Sequence, residues 1–498
     1  MASQMQRVRL GAGALALAMA AGCTFIPKQK PEAAPLPQQW TAAAAKPEAV
    51  SPALWWQGFA DPTLEQLTAE AFFQNIDLQQ ALLRVTEARA NARSTIARFL
   101  PQLSAQAQGQ YTQVLQGPPL VGSFQQFIIG GGDGGPPQII TENVQAFATI
   151  GPQVSWEVPL FGLIPLSVGG ARLTKAIAAE DVRAAQIALV GDVAQAYVDL
   201  RAAQNRYVVL RQALAVAEQL AQVLETTVAS GYTAPADAAD ARRQAEVTRA
   251  RLPDAEVAAY VAKASLAILR GLPPGTEAAE LNALLAAPAE IPNHPWDTAP
   301  AAPADLLRLR PDVARAERQA LLAAVEVGVA RHELLPKLTI TGNVGFADNV
   351  IGFPLPDQVG QLQVTPLLTV PLFDWGSRLA AVRQEKAQFQ SALLEYRDVV
   401  NRAVGEADRA LVELTQAQAR LAAAAKAEES AAALAQGSRQ AFEAGLRSLR
   451  ERLQAEQLLL EAQLARIDAE AALARASLDV YRAFAGALIP QPPAPETT

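Results

Sequence analysis

The sequence predicts a mainly α-helical protein with a smaller membrane β-barrel portion, built from a duplicated helix–strand–strand–helix–helix plan. Three observations predict it. The two halves of the chain repeat the same landmarks, the long segments carry sustained 3.5-residue apolar spacing, and four segments alternate apolar with polar residues. Composition points the same way: aromatics make up 6% of 498 residues, while Ala, Leu, Gln, Arg and Glu fill long stretches, the profile of packed helices. A net charge of −7 leaves no basic footprint for nucleic acid. Two His and one Cys leave little for a metal or cofactor site, and a lone thiol forms no internal disulfide.

Residues 1–22 read as a lipoprotein signal peptide. Arg7 and Arg9 form a positive start, and Leu10 to Ala21 is an apolar run well short of the ~20 residues a bilayer span needs. Met19-Ala20-Ala21-Gly22-Cys23 resembles the bacterial lipoprotein cleavage box, so cutting before Cys23 and acylation of that residue are expected. Two or more acyl chains, at ~0.8 kcal/mol per buried CH₂, make a stable anchor. Thr24 stands where aspartate would favour retention at the inner membrane, which points to the outer membrane. Loss of Arg7 and Arg9 with no acid takes the formal charge from −7 to −9. Residues 23–54, rich in Pro, Ala and Gln, read as an extended tether. No later segment offers ~20 uncharged apolar residues, so a membrane crossing would have to use strands.

The repeats are expected at 55–290 and 304–486, joined by a linker at 291–303 and followed by a tail at 487–498. Phe99-Leu100-Pro101-Gln102-Leu103 matches Leu334-Leu335-Pro336-Lys337-Leu338. Val158-Pro159-Leu160-Phe161 matches Val370-Pro371-Leu372-Phe373, and Ala229-Ser230-Gly231 matches Glu443-Ala444-Gly445, at offsets near 212–214. Strands are predicted at about 103–114, 144–158, 338–347 and 361–373. In the first, Leu103, Ala105, Ala107 and Tyr111 alternate with Ser104, Gln106, Gln108 and Gln110; in the third, Leu338, Ile340 and Val344 alternate with Thr339, Thr341 and Asn343. Such faces suit a water-filled membrane barrel, though a half-buried soluble sheet shares the pattern. Four strands cannot close a barrel, for which about eight is the minimum, and an open edge in lipid leaves backbone groups unsatisfied. Several copies must share one barrel; the strand count does not say how many.

Long helices are predicted at 168–230, 234–270, 376–444 and 446–486. Val193, Ala196, Leu200, Ala203, Tyr207 and Leu210 step by three and four residues, as do Phe389, Leu393, Tyr396, Val400, Ala403 and Ala407. That spacing makes a seam for a neighbouring helix.

With these elements in place the chain resembles the outer membrane factor family of TolC-like and OprM-like efflux ducts. The resemblance runs over nearly all of the expected mature chain. It includes Phe59-Ala60-Asp61-Pro62-Thr63-Leu64, Asn75-Ile76-Asp77-Leu78, and Arg310-Pro311-Asp312-Val313, the last similar to a signature of the lipoprotein branch. Val370-Pro371-Leu372-Phe373-Asp374-Trp375-Gly376 resembles the strand-to-helix junction of the second repeat. The resemblance implies a homotrimer with a twelve-stranded barrel in the outer membrane, a long α-helical coiled-coil barrel in the periplasm, and an equatorial girdle. It also implies docking to a periplasmic membrane-fusion adaptor and, through it, to an inner-membrane RND-type transporter. A periplasmic gate is expected at the helix turns near Gly231 and Gly445. Phe442 stands where the family often has tyrosine, and Gln454 where aspartate is common. The expected constriction pairs Arg447, Arg450 and Glu451 across helices, with Asp237 and Asp240 as partners.

Other motifs fall away. Gly130 to Gly135, a glycine run broken only by Asp133, lacks the Gly-Lys-Ser/Thr of a phosphate loop and reads as a surface loop. His332-Glu333 lacks the second histidine of a zinc protease helix, and His294 sits in the Pro-rich connector. The rival readings are a type I protein-secretion duct, which shares the fold, and a structural lipoprotein that tethers envelope layers through coiled coils. No constellation supports an enzyme.

Overall fold

The computed structural model describes residues 55–113, 120–121, 141–142, 144–276, 282, 285–293, 307, 310–351 and 359–484. The signal segment, Cys23 and the tether, the glycine run 130–135, His294, most of the linker and the tail 487–498 lie outside the described residues. The described residues form two compact units. One comprises 89–173 and 322–390 and holds the sheet; the other comprises 55–88, 174–321 and 391–484 and is helical.

After a short 3-10 turn at Trp55–Phe59 come α1 (Pro62–Gln74) and α2 (Ile76–Ala97). Asp61 caps α1: its Oδ1 accepts from the N–H groups of Thr63 at 2.8 Å and Leu64 at 3.0 Å, with Pro62 at the first helical position. Asn75 joins three helix ends. Its Oδ1 caps α2 through Leu78 N–H at 2.8 Å, and its amide donates to the Leu269 carbonyl at 2.8 Å. Leu269 is the last residue of α4 (Pro235–Leu269). The Tyr197 hydroxyl, deep in the helical core, donates to Asp61 Oδ2 at 2.9 Å.

The two longest helices are α3 (Leu163–Ala229) and α6 (Ser377–Glu443), each of 67 residues. α5 is Pro311–His332 and α7 is Leu449–Phe484. α3 starts five residues before the predicted 168 because Phe161 (φ 54°) and Gly162 (φ 78°) turn the chain left-handed and end the extended run. Pro165 falls in its first turn, where no N–H is required. Trp375 (φ 57°) and Gly376 (φ 82°) do the same before α6, at an offset of 214 rather than 212, so Asp374 and Trp375 are a two-residue insertion. α7 begins at Leu449 rather than 446, because the turn after α6 takes up those residues.

Most predicted seam positions are buried: Val193, Leu200, Leu210, Ala403 and Ala407 are 0–1% exposed, while Tyr207 and Leu393 are half-buried. Charged rungs flank the seams. Asp192–Arg482 (2.7 Å), Asp199–Arg475 (2.6 Å) and Arg206–Asp468 join α3 to α7, stepping by seven residues in opposite directions. Glu218–Arg249 (2.6 Å) and Glu225–Arg242 (3.2 Å) do the same between α3 and α4. Seven residues are two turns of helix, so one charge position recurs on the same side of an antiparallel pair. Gly191 fits this arrangement: a Cβ there would collide with the Arg482 guanidinium, which lies against the α3 backbone.

The sheet has the order β1-β4-β5-β6, all antiparallel: β1 (Gln102–Gln113), β4 (Val144–Val158), β5 (Lys337–Ile351) and β6 (Val359–Thr369). A two-stranded ladder of β2 (Leu120–Val121) and β3 (Thr141–Glu142) lies between β1 and β4 in sequence. β5 extends beyond its predicted end at 347. β6 stops at Thr369 instead of 373, since Pro371 offers no N–H and the chain then turns at Trp375. β4 skips pairing to β5 at Gly151-Pro152, while Pro152 still faces Ala105 of β1. A proline in an inner strand must break one ladder, and here it breaks the β5 side.

Candidate functional site

Two features of this fold can carry transport: the faces of the sheet and the helix turns. Register carries residue character across all four strands. Leu103, Val154, Gly342 and Val364 form one apolar row; Val158, Leu338 and Leu368 form another. On the opposite face Ser104, Gln153, Asn343 and Gln363 align, as do Gln102, Ser155, Thr341 and Thr365. In the single chain the apolar face stands open: Leu103 is 74% exposed, Ile150 63% and Leu362 73%. β1 and β6 each pair on one side only among the described residues. The unit thus presents an apolar face, a polar face and two unpaired edges.

The helix turns are built alike. After α3, Gly231 N–H donates to the Val228 carbonyl and Tyr232 N–H to the Thr227 carbonyl, both at 2.9 Å. After α6, Gly445 donates to Phe442 at 2.9 Å and Leu446 to Ala441 at 2.8 Å. This bonding, with φ near +78° at both glycines, is the Schellman end of a helix. Tyr232 and Leu446 project from equivalent places, 87% and 81% exposed.

The six residues expected at the constriction are only partly brought together. Arg450 reaches Asp237 across α7 and α4, Nη1 to Oδ2 at 3.7 Å. Asp240 pairs instead with Arg243 on its own helix at 2.8 Å. Arg447 donates to the Ser438 hydroxyl at 3.3 Å. Glu451 is occupied locally: its Oε2 accepts from Ser448 N–H at 2.8 Å and from the Ser448 hydroxyl at 2.9 Å, while Ser448 Oγ accepts from Glu451 N–H at 3.3 Å. That reciprocal cap starts α7. The Ser448 backbone bond, then its hydroxyl and the Arg447 charge, hold the Glu451 carboxyl below its ordinary range. Gln454 is exposed. The Ser-x-x-Glu spacing at Ser448 and Glu451 signals this cap, which holds Glu451 on its own helix rather than in a cross-helix pair.

The Arg310-Pro311-Asp312-Val313 segment proves to be an anchor. Arg310 is 9% exposed and donates to Asp312 from Nε (3.0 Å) and Nη2 (2.8 Å), to Glu406 of α6 (2.7 Å), and to the Ala483 carbonyl of α7 (3.2 Å). Burial pushes the Asp312 carboxyl up, but the Arg310 bonds and charge, with Val313 N–H, hold it below the usual carboxylate range. His332 closes the other end of α5: buried, it bonds the Leu160 carbonyl at 2.9 Å, next to the left-handed turn at Phe161. Among the described residues no cluster of metal-ligating side chains is present, and no helix is long and apolar enough to cross a membrane.

A family model described as "Outer membrane efflux protein" matches residues 67–272 and 302–486. The outer membrane protein OprJ of Pseudomonas aeruginosa is 28% identical over 490 residues, covering 97% of each chain. The pyoverdine export outer membrane protein OpmQ of the same species is 28% identical over 453 residues, covering 90% of this chain and 91% of the relative. The solved structure of the outer-membrane channel OprN superimposes with a TM-score of 0.78 at 27% identity, over 93% of this chain and 99% of that one.

Proposed function

Because the chain belongs to the outer membrane efflux protein family, we propose that it is the outer-membrane exit channel of a tripartite RND-type efflux system. It is a passive duct that works without catalysis. It receives solutes from an inner-membrane transporter through a periplasmic adaptor and releases them across the outer membrane. The observation that carries this reading is the sheet: four strands with one apolar and one polar face, and an unpaired edge at β1 and at β6. In lipid those edges must be satisfied. β1 of one copy against β6 of the next closes a ring, and three copies give twelve strands with the apolar face to lipid and the polar face to water. Acylated Cys23 anchors each copy in the outer membrane.

At the periplasmic end the Arg450–Asp237 pair acts as a tie across the turn-bearing helices. Both side chains are nearly half exposed, so each pair contributes only about 0–1 kcal/mol. Adaptor binding is therefore sufficient to release it. Glu451 supports the gate indirectly, by fixing the start of α7.

The test is conductance. Purified protein should run as a trimer and open discrete ion-conducting pores in a planar bilayer, and Arg450→Ala should conduct more. A stable monomer that leaves bilayers sealed would remove the duct reading. A Cys23→Ser chain that still carries acyl groups by mass spectrometry would remove the anchor.

A further inference from the structure

The polar face of the sheet is nearly uncharged. Gln, Ser, Thr and Asn recur along it on the four strands, and among the described residues only Glu157 and Lys337 on that face are ionisable. Lys337 is balanced by Glu333, with Nζ 2.6 Å from Oε2. Glu157 is exposed, lies opposite Thr339 of β5, and has no ion pair among the described residues. Arg98 lines the same cavity of about 230 Å³ without reaching ion-pairing distance. The matching place in the second repeat, one residue before Val370-Pro371-Leu372-Phe373, is the neutral Thr369. Among the described residues of that face, Glu157 is therefore the carboxylate left without an ion pair, and it stands at the end of the sheet that leads into α3.

Resting on the duct reading above, we propose that Glu157 sets the ion preference of the passage, favouring cations and cationic solutes over anions. Three copies place three carboxylates around the water-filled lumen, on a face where Lys337 is already paired with Glu333 and Arg98 stays beyond ion-pairing distance of Glu157. Rings of like charge in a low-dielectric wall raise the local concentration of the opposite ion. At a distance of about one screening length, about 10 Å at 0.1 M salt, three such charges change the cation-to-anion ratio about two- to fivefold.

The experiment is the reversal potential of the purified trimer in a planar bilayer under a KCl gradient, read as the K⁺/Cl⁻ permeability ratio. The wild type should prefer K⁺, Glu157→Asp should keep that preference, and Glu157→Gln should lower the ratio by about twofold or more. Thr339→Lys sets an ammonium beside the carboxylate and should lower the ratio too; it carries the test if Glu157→Gln does not insert. A conducting Glu157→Gln or Thr339→Lys pore with the wild-type ratio overturns the proposal, as does a wild type that prefers Cl⁻. A trimer that conducts nothing at all removes the duct reading instead.

Discussion

Replacing Arg310 with alanine should destabilise the helical unit by about 2–4 kcal/mol at neutral pH. The magnitude follows from what the guanidinium holds. Its bonds to Asp312 and Glu406 end on side chains that are 46% and 48% exposed, so each counts at most about 1 kcal/mol, as for a surface pair. The bond to the Ala483 carbonyl is buried and contributes about 1–1.5 kcal/mol, and lost packing of the buried stem adds about 1 more. The sum falls short of the top of the range of about 3–5 kcal/mol for a wholly buried ion pair because water can reach both carboxylates once the arginine is gone. The loss should depend on pH. Asp312 has a folded-state pKa below its unfolded one, so its contribution is fully present above about pH 4 and fades as pH falls through the folded value. Without Arg310, burial pushes the Asp312 carboxyl up and only the backbone N–H bonds oppose it, so the downward shift shrinks. The gap between the two proteins should therefore narrow from pH 7 to pH 3. Urea titration in detergent, followed by the helical circular dichroism signal, measures it. A difference under about 0.5 kcal/mol at pH 7, or an equal difference at both pH values, would refute the reasoning.

Two further outcomes follow from the seams. Asp199→Arg sets like charges against Arg475 and should cost about 0.5–1 kcal/mol, most of which Arg475→Asp in the same chain should restore; a double variant no better than the single one would contradict the α3–α7 register. Gly191→Ala gains about 1 kcal/mol on helix propensity, and displacing the flexible Arg482 guanidinium costs at most the about 0–1 kcal/mol of its partly exposed pair with Asp192. Stability should therefore hold or rise slightly, and a marked fall would refute the reasoning. A raised urea midpoint for that variant would show that Arg482 moves aside without loss.

Period alone determined much of this protein. Alternation at Leu103 to Tyr111 and at Leu338 to Val344 specified strands and their two faces, and steps of three and four at Val193 to Leu210 specified helix seams, because both patterns are local consequences of backbone geometry. The repeated landmarks located the junctions and the turns at Gly231 and Gly445, and too few strands for closure required further copies. Partner choice was decided by the tertiary structure. Asp192, Asp199 and Arg206 sit at equivalent heptad positions, and nothing local says whether α4, α6 or α7 lies beside them. The same holds at the turn, where Asp237 meets Arg450 while Asp240, one helical turn on along the same face, pairs with Arg243 of its own helix. Charges on a helix surface can satisfy several neighbours at nearly equal energy, so only the packing of the apolar seam, which sets the register, selects among them.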